Sequence, residues 1–82
     1  MKGVGNPEAV VELPTLKRGC RGRVVAINGD TPTQTRLREL GLYEESEIRV
    51  LHVNGSVMCQ VNDSRFGIDC QTARSVLVRP LN

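Results

Sequence analysis

The chain has 82 residues, with 11 basic against 9 acidic and a formal charge of +2. That length allows one domain with a small core, and a balance this even, with the two signs interspersed, gives no field that calls for nucleic acid. The three cysteines, Cys20, Cys59 and Cys70, are an odd set without a C-x-x-C, which argues against a disulfide framework or a usual zinc site and fits the reducing cytosol.

Apolar residues make up 39% and are mostly Val and Leu, with one Tyr and one Phe. This composition predicts a small β fold closed by aliphatic side chains. Residues 1–12 open with Gly3, Gly5, Asn6 and Pro7 and read as a flexible extension. The domain is expected over residues 13–82. Pro14, Gly19 and Gly22 mark an irregular approach to a first strand, Arg23–Asn28, which ends at Asn28-Gly29-Asp30.

The next stretch specifies a short helix. Thr31 stands as its N-cap, Pro32 as its first helical residue, and Gln34 completes a T-x-x-Q capping box. Gly41 is placed for the left-handed residue after the end, with Leu37 and Leu42 at the two positions that touch in a Schellman ending. A helix of about two turns is unstable alone in water, so Leu37 and Leu40 must pack on other elements.

From Ser46 the period becomes two. "EIRVLHV" and "SVMCQV" flank Asn54-Gly55, which predicts a hairpin with a two-residue type I′ turn. That turn pairs Val53 with Ser56, His52 with Val57, Leu51 with Met58, Val50 with Cys59 and Ile48 with Val61. The expected core face carries Ile48, Val50, Val57, Cys59 and Val61, with His52 nominally on it. The opposite face carries Arg49, Leu51, Val53, Met58 and Gln60. After Asn62-Asp63-Ser64 come a strand at Arg65–Ile68, a helical turn at Cys70–Ser75 capped by Asp69, and a last strand, Val76–Arg79. The prediction is a mainly β, small barrel of about five strands with one short α-helix and one helical turn, closed so that few edges remain.

Candidate chemistry is sparse. His52 is the one histidine, and with scattered carboxylates it makes neither a facial iron site nor a usual zinc site, so no metal or cofactor is expected. No cysteine has a flanking base motif, and Cys59 reads as a buried small hydrophobe, so no catalytic residue is assigned. Lys17, Arg18, Arg21 and Arg23 form the densest charge run. Tyr43 and Phe66 lie on different elements and make no stacking platform, which argues against single-stranded nucleic acid. No run of apolar residues is long enough to span a bilayer, so no membrane insertion is expected.

Three stretches, "LPTLKRGCRGRVVAI", "RLRELGL" followed by "EIRVL", and "RFGIDCQTARSVLV", together resemble the ferrous iron transport protein A (FeoA) family. The matching positions are Leu13, Leu16, Gly19, Gly22 and Val24, then Arg36, Leu37, Leu40 and Gly41, then Ala73, Val76 and Val78. The chain departs from the family pattern at Glu45 and at Asn62-Asp63, where the family commonly has Gly. The resemblance implies an SH3-like barrel and a non-enzymatic cytosolic accessory protein of bacterial ferrous iron uptake. Its implied partner is the FeoB membrane transporter, through that protein's cytosolic part. Partner binding is expected at the basic loop, Lys17, Arg18 and Arg21, and at the half-apolar hairpin face, Leu51, Val53 and Met58. A metal-responsive regulatory domain, like the C-terminal domain of iron-dependent repressors, is the alternative reading; a weak nucleic-acid-binding barrel is a further rival.

Overall fold

Apolar residues alternate with polar ones along most of the chain, and each alternating run forms a strand with one buried face. The computed structural model describes residues 9–81. Its elements are β1 (Val11–Glu12), a 3₁₀ turn (Leu13–Thr15), β2 (Arg21–Ile27), α1 (Thr31–Glu39), β3 (Glu47–Val53), β4 (Ser56–Val61), β5 (Ser64–Asp69), α2 (Cys70–Ala73) and β6 (Val76–Pro80). The strands form one antiparallel sheet in the order β1-β6-β2-β3-β4-β5.

The mainly β class is as predicted, but the sheet has six strands and is not closed. The additional strand is β1, where Val11 pairs with Val78 and Glu12 with Leu77. It occupies the last two residues of the expected extension; residues 1–8 lie outside the described residues. Strand β2 starts at Arg21, two residues earlier than predicted, because pairing with β3 already holds Arg21 and Gly22 opposite Arg49 and Ile48. The later strands are each longer than expected, and α2 is shorter, ending at Ala73.

Helix α1 is capped by Asp30, not Thr31. The Asp30 carboxylate accepts the Thr33 N–H at 3.0 Å. A carboxylate is at least as good an acceptor as a hydroxyl there and also meets the positive end of the helix dipole. That bond holds the Asp30 carboxyl below its usual range. Gln34 therefore reaches back past the cap, and its amide donates to the Gly29 carbonyl at 3.0 Å. The predicted helix ending does form. The N–H of Leu42 donates to Leu37 O at 3.1 Å and that of Gly41 to Arg38 O at 2.9 Å, with Gly41 at φ +103°. These are the two bonds of a Schellman motif. Leu37 and Leu42 are both fully buried in the single core, with Leu13, Val24, Ile48, Val57 and Val78.

The hairpin register differs from the prediction near its tip. Val53 pairs with Val57 and His52 with Met58, whereas Val50 pairs with Cys59 and Arg49 with Gln60 as expected. Leu51 is the extra residue, a β-bulge between two registers. A type I′ turn needs positive φ at both central residues. Gly55 has φ +68°, but Asn54 is not in that region. The turn takes in one more residue, Ser56, whose carbonyl accepts the Asn54 N–H at 2.8 Å. The bulge restores the inward direction of Val50 and Ile48, and it moves His52 off the predicted core face into solvent. Among the described residues no helix is long and apolar enough to cross a membrane.

Candidate partner-binding surface

The turn that carries Lys17 and Arg18 is fixed against β3. The Gly19 N–H donates to Val50 O at 2.7 Å, and the Val50 N–H donates back to Cys20 O at 2.9 Å. These bonds continue the β2–β3 ladder and leave Lys17 and Arg18 exposed at its end. Arg21 is not a loop residue. It is the first residue of β2, and its guanidinium pairs with Glu47 at 2.9 Å.

The bulge separates the three apolar residues that sequence periodicity placed together. Met58 lies opposite His52 on the outer face, and Val53 lies opposite the buried Val57. Leu51, at the bulge, is half-buried. Met58 is 42% exposed and Val53 38%. The thioether of Met58 lies over Gly67 on β5, where a Cβ would stand 3.1 Å from its sulfur. The outer face therefore has one prominent apolar side chain, and the hairpin tip has a second on the other side.

Sequence reading missed how many arginines the outer face gathers. Arg23, Arg49, Arg65 and Arg79 share the outer face with Arg21, because each occupies the outward position of its strand. The signal was present in the R-G-R alternation of β2 and in the central Arg of "EIRVL", but cross-strand register is needed to bring the arginines side by side. A small cleft of about 130 Å³ lies elsewhere, lined by Arg36, Leu37, Leu40, Gly67, Ile68, Asp69 and Thr72. Drug-sized ligands need about 300 Å³ or more, so this cleft has room for a side chain.

Cys59 is poorly placed for covalent chemistry. Burial pushes the Cys59 thiol up to about 12, and its Sγ donates to the Phe66 carbonyl at 3.7 Å. A thiol held neutral is a poor nucleophile. All three cysteines are free thiols. Among the described residues no three His, Cys, Asp or Glu side chains converge into a possible metal site.

The sequence pattern of the FeoA domain family matches residues 11–80. No match is found among curated proteins. Among solved structures, an iron uptake regulatory protein (FeoA) is 33% identical with a TM-score of 0.84, over 89% of this chain and all of that one. FeoA of Stenotrophomonas maltophilia, solved with zinc, is 25% identical with a TM-score of 0.74, over 83% of this chain and 88% of that one. It is described as a procaryotic SH3 domain protein and a candidate bacterial ferrous iron transport activating factor. A manganese-dependent transcriptional repressor is 21% identical with a TM-score of 0.83; the likeness covers 95% of this chain but 45% of the repressor, and at that identity it shows the fold alone. The fold is thus SH3-like, as expected from the sequence, although its sheet stays open.

Proposed function

We propose, from the premise that this chain belongs to the FeoA family, that it is a non-enzymatic cytosolic accessory protein of bacterial ferrous iron uptake that docks on the cytosolic part of a FeoB-type transporter. The family match over residues 11–80 is the observation that carries this reading. The surface chemistry supports it. Exposed Met58 and Val53 with half-buried Leu51 offer contact area at the hairpin, and Lys17, Arg18 and Arg21 offer positive charge for steering toward an acidic surface. The regulatory alternative has only the fold likeness to the repressor behind it, and no metal-binding group of residues among those described supports it.

The test is co-purification with the transporter, joined to ferrous uptake in a strain lacking the native protein. We expect the unmutated chain to restore uptake. Met58→Asp should chiefly speed dissociation, and charge reversal at Lys17 and Arg18 should chiefly slow association and alter its salt dependence. A strain that takes up ferrous iron equally well without the chain would remove the functional assignment.

A further inference from the structure

The net charge of +2 conceals a strong segregation. Arg21 lies opposite Arg49, Arg49 opposite Gln60, and Gln60 opposite Arg65, so one row of side chains crosses four strands. Two residues away, Arg79 lies opposite Arg23, and Arg23 opposite Glu47. Neighbouring strands are about 4.8 Å apart and same-face residues about 7 Å apart along a strand, so the first row spans about 14 Å. Glu47 is the one carboxylate in the two rows, with Asp63 in the turn beyond them. The acids Asp30, Glu39 and Glu44 lie on α1 and its flanks instead.

This arrangement is costly for the fold alone. Like charges directly opposite on a sheet are destabilising, and here two pairs of arginines face each other. Arg79 Nε is buried without a hydrogen-bond partner among the described residues. A buried donor left unpaired loses its water and gains nothing in exchange. Among the described residues Arg49 makes no ion pair, and Arg65 bonds only the neutral Gln60, at 3.3 Å. An anionic ligand over the face would offset the repulsion between the paired arginines and give Arg49 and Arg65 charged partners.

We propose that the outer sheet face, through Arg23, Arg49, Arg65 and Arg79, binds a carboxylate-rich segment of a protein partner. Guanidinium forks suit bidentate contact with carboxylates. Phosphates are also suited to them, so the choice between the two rests on the remaining chemistry of the face. The described strand residues of this face include no Phe, Tyr or Trp, and the one imidazole, His52, stands near the hairpin tip away from the two rows, so successive bases have no stacking platform. Met58 borders the arginines and adds apolar contact of the kind a protein partner supplies. The inference rests on the docking reading for its biological setting and specifies the chemistry of the partner's surface.

The experiment follows amide and arginine side-chain NMR signals of the whole chain during titration with octaglutamate, with octaglutamine, and with an eight-nucleotide single-stranded DNA. Octaglutamate should shift the signals of Arg23, Arg49, Arg65 and Arg79, and octaglutamine should not. The double variant Arg49→Gln/Arg65→Gln should weaken octaglutamate binding about tenfold. The double variant Arg36→Gln/Arg74→Gln, equal in net charge, should stay within about twofold, since the lost charges lie off the face. Equal weakening in both variants, the absence of shifts on the face, or tighter binding of the DNA than of octaglutamate would each overturn the proposal. Co-purification with the transporter separates the two readings. If it persists in the unmutated chain while octaglutamate fails to bind, the acidic-segment inference fails alone. If octaglutamate binds the face and the transporter does not co-purify, the docking reading fails and the anion site stands.

Discussion

The end of α1 and the tip of the β3–β4 hairpin both turn on a glycine with positive φ, Gly41 at +103° and Gly55 at +68°. In both cases the space where a Cβ would go is empty to 4 Å. Yet the helix ending follows its local sequence and the hairpin does not. The Schellman bonds of α1 link residues at most five apart, so the signals that specify them are adjacent in the chain. The hairpin must also keep Ile48 and Val50 buried opposite β2 and place Val57 and Cys59 against β5. These longer-range demands take precedence over the preference of Asn-Gly for a two-residue turn, and the bulge at Leu51 absorbs the difference. A cap is thus a local decision, whereas a register is a decision of the whole sheet.

The strongest challenge to this contrast is Leu37→Ala. Leu37 is fully buried and joins the local cap to the shared core. Its truncation should cost about 2–5 kcal/mol in urea melts. A cost below about 1 kcal/mol would mean that the helix is held by its caps alone.

The second comparison places the same change at both turns. Gly41→Ala and Gly55→Ala should each cost about 1 kcal/mol, from left-handed strain partly offset by a less flexible unfolded chain. Amide NMR should show that Gly41→Ala perturbs only α1 and Leu42. For Gly55→Ala the perturbation should extend along β3 to the bulge. Equal spread in the two variants would dissolve the distinction between local and sheet-wide control.

A smaller, opposite effect is expected at Glu45, which has φ +76° without being glycine. Its N–H donates to Val24 O at 2.8 Å and its carbonyl accepts from the Arg23 guanidinium at 3.0 Å, so Glu45 takes part through its own main-chain atoms. Glu45→Gly should keep both bonds and raise stability by up to about 1 kcal/mol, read as a higher urea midpoint.

The smallest effect is the pH response of the Arg38–Glu44 pair beside the helix end. Arg38 donates to both Glu44 oxygens, at 2.9 and 3.1 Å, and its guanidinium lies 6.0 Å from the Tyr43 ring centre. These bonds lower the Glu44 carboxyl from 4.5 to about 2. Because the folded value lies below the unfolded one, the contribution is complete above about pH 4.5 and is lost as pH falls toward 2. Glu44→Gln should flatten the fall in melting temperature across that window and leave the slope near pH 7 unchanged. The pair is exposed, so the change will be modest and salt-sensitive.

What could be read from the residues follows the same division. The buried positions Leu37, Leu42, Ile48, Val50, Val57 and Cys59 were legible because period and capping chemistry act over a few residues. The cap falls one position before Thr31 because Asp30 and Thr31 are both residue types that cap helices, and choosing between them depends on which oxygen reaches Thr33. Of the residues proposed for docking, the exposure of Lys17, Arg18 and Met58 was legible from loop and strand patterning. The shared face of Leu51, Val53 and Met58 was not, since one bulge changes which side each presents. Nor were the arginine rows legible. Arg23 and Arg79 are 56 residues apart by number and become neighbours only once β6 has paired with β2.

The open sheet has a consequence for behaviour at high concentration. Its two outer strands are templates on which a second molecule could add a strand and begin aggregation. At one edge β1 has only two residues, too few to guide such an addition. At the other, β5 reads Ser-Arg-Phe-Gly-Ile-Asp, with a charge near each end and a glycine within. Charge and glycine both disfavour regular pairing with a copy of the same strand. Addition of a further strand is thus disfavoured at both described edges, although the sheet is unclosed.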